Sequence, residues 1–132
     1  MSGELSAGVG GVGQLFAGLA IRDRAIELEL NEFGDLSVHD LVGHRRCTAV
    51  LDRAARHELA AALLASIDGL RRGDGAVAPA AIHPGVGRGR AEVAVGSDAV
   101  VLSVFDAWGD CSRSIRLDVA SARQLASAME GL

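Results

Sequence analysis

The chain contains no lysine and no tyrosine, one tryptophan, three phenylalanines, two cysteines and two prolines. Each scarcity removes something. Aromatics at 3% argue against a rich base-stacking platform for nucleic acid. All 13 positive charges are arginine, and the formal net charge is still −4 with a pI near 5.5. That balance argues against a cationic nucleic-acid arm and against a binder of anionic membrane surfaces. No apolar run reaches the ~18 residues of a transmembrane helix. The start, Met1-Ser2-Gly3-Glu4-Leu5, carries an acid where a signal peptide needs a basic region, and Gly8 to Ala20 is too rich in glycine for its apolar core. Two cysteines are too few for a disulfide framework, so Cys47 and Cys111 read as buried thiols. The expectation is a cytoplasmic protein. What remains is an ordinary globular balance, 49% hydrophobic and 23% charged, in 132 residues.

The strongest internal signal is a repeat. Residues 22–66 match residues 88–132 without a gap at a spacing of 66, with 14 of 45 pairs identical. Leu36-Ser37-Val38 matches Leu102-Ser103-Val104, Asp40 and Gly43 match Asp106 and Gly109, and Leu51 and Asp52 match Leu117 and Asp118. A long period seen twice points to duplication of one supersecondary unit, not to a solenoid.

The unit reads clearly in the first copy. Ile26, Leu28 and Leu30 alternate with Glu27 and Glu29, the period of a half-buried strand. Asn31-Glu32-Phe33-Gly34 suits a type I turn with a glycine bulge. A second strand covers Asp35 to Asp40. Asp40-Leu41-Val42-Gly43 turns again, with Gly43 expected at positive φ. A third strand, His44 to Leu51, follows. Asp52 should cap a helix by accepting from its first N–H groups, and Gly69 should end it. In the second copy Gly96-Ser97 suits a type II′ hairpin, Ala99 to Phe105 and Cys111 to Leu117 are strands, and Asp118 caps the last helix. The first strands of the two copies fit better with a one-residue slip.

These elements predict an α+β domain built from a duplicated βββα unit, with antiparallel sheet, both helices on one face and a pseudo-twofold. Residues 1–12 read as a flexible glycine-rich terminus, 13–70 as the first repeat, 71–87 as a linker and 88–132 as the second repeat. One unit of about 45 residues buries too little to stand alone, so the two should share one core. The apolar stretches 13–21 and 76–82 are either strands or loop. If they are strands, the unit becomes ββββα, twice. That order resembles the PUR-repeat, Whirly and positive-cofactor-four families of single-stranded nucleic-acid-binding folds. The resemblance covers most of the chain by element order and carries no motif residue. It implies a binding role for arginines on the open sheet face.

The chemistry on offer is sparse. Gly8 to Gly13 fits G-x-G-x-x-G by letter, with too little chain before it for a dinucleotide fold. His39, Asp40, His44 and Cys47 are metal-ligand types without a matched spacing. His57-Glu58 lacks the second histidine of a zinc-protease helix, and no G-x-S-x-G is present. No cofactor, metal site or catalytic set is assigned. The repeated pairs Arg22/Arg24 and Arg88/Arg90 either hold phosphates or an acidic partner, or pair with nearby carboxylates. With Arg46, Arg116, His39 and Phe105 they form the candidate contact set. Phe33, Leu41 and Trp108 are apolar candidates for exposed turns. Three functions fit: a non-catalytic binding or protein-interaction module, of a kind that can serve regulation, with a protein partner or a second copy; a single-strand nucleic-acid binder; or an enzyme on a small ligand using His39 and Asp40.

Overall fold

A computed structural model describes residues 18–73, 78–107 and 112–132. The terminus at 1–12, the Gly8 to Gly13 motif, Trp108, Gly109 and Cys111 lie outside them. The element order is β1 (Leu19–Asp23), β2 (Ile26–Leu30), β3 (Asp35–Asp40), β4 (Arg46–Val50), α1 (Arg53–Arg72), β5 (Ala80–Ile82), β6 (Arg90–Val95), β7 (Val100–Phe105), β8 (Ser112–Leu117) and α2 (Val119–Glu130). The four-strand form of the unit is therefore the one that occurs, and it occurs twice. β1–β4 and β5–β8 form two antiparallel four-stranded sheets in sequential order.

Period-2 alternation sends Leu28, Leu30, Leu36, Val38, Cys47 and Ala49 to the core side of the first sheet, all fully or almost fully buried. Ala91, Val93, Leu102, Val104 and Ile115 do the same in the second. The inner faces meet each other, β4 against β7 and β3 against β8. The helices pack along one another. α1 also lies on β5, β6 and β7, strands of the other half, while α2 touches β1 and β8. Among the described residues, 25 of the 26 buried hydrophobics, all but Ala99, form one cluster drawn from both halves. No helix among the described residues is long and apolar enough to cross a membrane.

Both aspartate caps form. Asp52 Oδ1 accepts from Ala55 N at 2.9 Å, and Asp118 Oδ1 accepts from Ser121 N at 2.8 Å. The Asn31 turn also forms, with Gly34 at φ 87° and its N–H on Asn31 O. Four local expectations need correction. Helix α1 passes through Gly69 and ends at Gly73, whose φ of 70° closes the last turn. The apolar stripe continues to Leu70, which packs on the core, so burial carries the helix past Gly69. In the β3–β4 turn the positive φ falls on His44, at 58°, and not on Gly43. Asp40 Oδ1 accepts from Val42 N and Gly43 N, and Asp40 N donates to Arg45 O across the turn, which closes without a left-handed glycine. Gly96 has no positive φ, and residues 96–99 form a four-residue loop closed by Gly96 N on Ala99 O. Lastly, Cys47 is buried as expected but is disulfide-bonded, not a thiol.

One junction ties the sheets by backbone. Val50 and Arg88 exchange N–H···O bonds of 2.8 and 3.0 Å. Gly87 (φ 155°) and Gly89 (φ 73°) flank Arg88, and a Cβ on them would overlap the carbonyl oxygens of Val50 and Phe105. Glycine is required there by close approach as well as by backbone conformation.

Candidate functional site

With the inner faces sealed against each other, the outer sheet faces are the surfaces that β-strand alternation leaves polar. On the first sheet one row runs Arg22, Glu27, His39, Arg46 across the four strands, and the next runs Ala20, Glu29, Ser37, Thr48. On the second sheet the corresponding rows are Arg90, Phe105, Ser112 and Ala81, Glu92, Ser103, Ser114.

The two halves repeat one device. Ser37 Oγ lies 2.9 Å from Thr48 Oγ1, and Ser103 Oγ lies 2.6 Å from Ser114 Oγ. These hydroxyl pairs sit mid-sheet at the 66-residue spacing. The first strands do not keep that spacing. Glu29 faces Ser37 and Glu92 faces Ser103, so Glu29 and Glu92 correspond at a spacing of 63. The slip is three residues, not one. Its cause is the hairpin: the chain from Val93 to Leu102 is three residues longer than the chain from Leu30 to Leu36, which are equivalent facing pairs.

This shift separates the matched arginines. Arg90 corresponds to Glu27, since these face Phe105 and His39. Arg22 sits in β1. Arg24 occupies the two-residue β1–β2 turn with φ 57°. Arg88 contributes its backbone to the Val50 bridge. The recurrence seen in sequence is not a recurrence of position.

Four of the candidate arginines lie against carboxylates. Arg22 Nη2 meets Glu27 Oε2 at 3.4 Å, Arg46 Nη1 meets Glu29 Oε1 at 2.6 Å, Arg90 Nε meets Glu92 Oε2 at 3.1 Å, and Arg116 Nη2 meets Asp98 Oδ2 at 3.3 Å. His39 Nδ1 is 3.4 Å from Arg46 Nη2 and its ring lies 6.4 Å from that of His44. The Arg90 guanidinium stacks 3.8 Å over the Phe105 ring, a cation–π contact that sequence reasoning did not pair. Apart from Arg24 in its turn and Arg88 at the junction, the candidate set falls into two groups. Arg22, His39 and Arg46 share the first sheet; Arg90, Phe105 and Arg116 share the second.

An open hollow of about 660 Å³ indents the first outer face. Ala20, Glu29, Asp35, Ser37 and Arg46 lie on the sheet, and Glu32 comes from the adjoining turn. Neither His39 nor Asp40 lines it. Asp40 lies at the far end of β3, its carboxyl held below the ordinary value by the Gly43 and Val42 N–H groups. Phe33, at 73% exposure, and Val42, at 77%, stand out at opposite ends of this sheet, while Leu41 is half-buried. No family model matches the chain, and neither the curated proteins nor the solved structures offer a significant match.

Proposed function

We propose that the protein is a non-catalytic binding module that meets a protein partner, or a second copy of itself, through the outer faces of its two sheets. The observation that carries this reading is the pairing of the outer-face charges. Arg22, Arg46, Arg90 and Arg116 each lie against a carboxylate. Phosphate binding draws on cations that are free to displace counterions. A face of paired charges and fixed hydroxyls instead offers directional hydrogen bonds with little net field, which suits a protein surface.

The single-strand reading keeps two supports, the ββββα order repeated twice and the Arg90–Phe105 stack. The enzyme reading loses ground because the hollow excludes His39 and Asp40. A cytoplasmic setting loses its thiol argument with the disulfide at Cys47.

Two measurements on one preparation decide between the readings. Fluorescence anisotropy with a labelled single-stranded oligonucleotide should show no binding at low salt. Micromolar binding that weakens steeply as salt rises would overturn the proposal in favour of nucleic acid. Sedimentation over a wide concentration range then tests the second copy as partner. A self-association that Ser103→Arg abolishes supports the outer face, and one that ignores this substitution and its counterpart Ser37→Arg removes it.

A further inference from the structure

An edge strand presents a row of backbone N–H and C=O groups that another strand can pair with. The two sheets have four edges, β1, β4, β5 and β8. Three of them are blunted. β4 is tied at Val50 to Arg88. β5 has three residues and follows Pro79. β8 carries Arg113 and Arg116 and no acidic residue, so two copies of it laid together would gather positive charge. β1 differs. It is a run of five residues without proline, and among the described residues its ladder runs only to β2. We infer that a second copy of this chain adds its β1 to this edge, antiparallel about a twofold axis normal to the sheet, and seats its Arg22 at the acidic hollow of the first outer face. The inference rests on the second-copy form of the reading above and names the surface that the copy uses.

Register carries the argument. Residues directly opposite in an antiparallel pair point to the same side of the sheet. Arg22 points to the outer face. In a pairing that overlaps most of β1, Arg22 of the second copy therefore lies opposite Gly18, Ala20 or Arg22. Arg22 opposite Arg22 sets like charges together, which is disfavoured. The two registers that remain place it opposite Gly18 or Ala20, and both of these line the hollow. On the core side Ile21 then faces Leu19 or Ile21 of the second copy, apolar against apolar.

The charges are complementary. Three carboxylates line the hollow, Glu29, Glu32 and Asp35, against one guanidinium, Arg46. Arg46 meets Glu29, and Asn31 Nδ2 donates to Asp35 Oδ2 at 3.0 Å, so an arriving cation still finds an excess of negative charge. Ala20 faces Glu29 across the β1–β2 ladder. Its methyl group is short enough for a guanidinium from the edge to pass over it toward that carboxylate. Arg22 can make this contact: its side chain is exposed, its contact with Glu27 is long at 3.4 Å, and a guanidinium has further N–H donors to give. The twofold repeats the contact, and the two first sheets become one sheet of eight strands with a continuous outer face. So short an edge buries little area, so a micromolar dissociation constant is expected.

The test is a charge exchange, read by sedimentation equilibrium on the full chain at low salt. Wild type should form a dimer that weakens as salt rises. Ala20→Arg sets a cation at the rim of the hollow, and Arg22→Glu brings an acid to its carboxylates. Each should raise the dissociation constant at least about tenfold. Mixed together, the two variants should form a heterodimer within about threefold of wild-type affinity, because one supplies the acid and the other the cation. Both positions are exposed, so circular dichroism should show the fold unchanged. Ser103→Arg, on the other sheet, should leave the dimer intact. A chain that stays monomeric at about 1 mM overturns the inference and leaves a different protein as the partner. A dimer that ignores both β1 variants, or whose loss the mixture does not restore, overturns it too. A dimer lost to Ser103→Arg alone removes the edge while the outer-face reading stands.

Discussion

The two helix caps do the same local work and different work beyond it. Asp118 spends its carboxylate on the first turn of α2. Asp52 caps α1 through Oδ1 and with Oδ2 accepts from Val86 N at 2.7 Å, in the loop that leads into the second half. The second oxygen turns a helix cap into part of the junction, two residues from the end of β4 and the Val50–Arg88 bridge. The two halves are alike where each builds its own sheet, and differ where one must hold the other.

The largest effect should come from the likeness. Leu36 and Leu102 occupy the same place in the two sheets, both fully buried. Leu36→Ala and Leu102→Ala should each cost about 3 kcal/mol in denaturant unfolding, the usual range for a buried leucine. Costs that differ by more than about half that value would mean that the halves do not share the core equally.

Next comes the junction. Gly87→Ala should destabilise by roughly 2 kcal/mol, because the new Cβ strikes the Val50 carbonyl and the backbone conformation also disfavours it. Gly131→Ala at the end of α2 meets only ordinary contacts and serves as the control. Equal effects would refute the junction as a special site.

The caps follow. Asp52→Ala should lower the melting temperature more than Asp118→Ala, because it releases the Val86 loop as well as a helix end. The pH dependence has a definite sign. The Val86 and Ala55 N–H groups hold the Asp52 carboxyl below its ordinary 3.8, and the Ser121 N–H does the same for Asp118. Groups lowered in the folded state contribute stability that is fully present above the ordinary value and is lost as pH falls through the folded one. Acid unfolding profiles of wild type and Asp52→Asn should therefore converge as the pH falls below about 4. A gap that persists in acid would mean that the carboxylate charge is not what holds the loop.

The smallest effect belongs to the outer faces. Arg46→Gln breaks an ion pair whose partners are both about two-fifths exposed, and should change stability by only about 0.5 kcal/mol. A cost several times larger would recast these charges as structural, and would weaken the case for the face as a binding surface.

Most of the unit was legible in the sequence because its signals were local. Leu36 and Val38 alternate cleanly, Asp52 and Asp118 stand where helix caps belong, and both turned out as read. The misses were non-local. β1 and β5 are short and pair only with the strand that follows, so neither the apolar run at Gln14 to Ile21 nor the one at Ala76 to Ile82 reveals its register. The three-residue excess in the β6–β7 hairpin and the longer β5–β6 connection put the arginines that match at a spacing of 66 in different places. Gly69 carries a stop signal that tertiary burial overrides. For Cys47, burial and bonding look the same in sequence, and two cysteines 64 apart give no spacing to read. The outer-face arginines were identified, yet their partners Glu27, Glu29, Glu92 and Asp98 depend on register.

Native-state hydrogen exchange on the amides of β3 and β7 addresses the dependence of one half on the other most directly. Halves that share one core predict that the slowest amides of both strands exchange only through global unfolding, with the same free energy and the same response to denaturant. Exchange of the β7 set at markedly lower free energy, with β3 still protected, would contradict it.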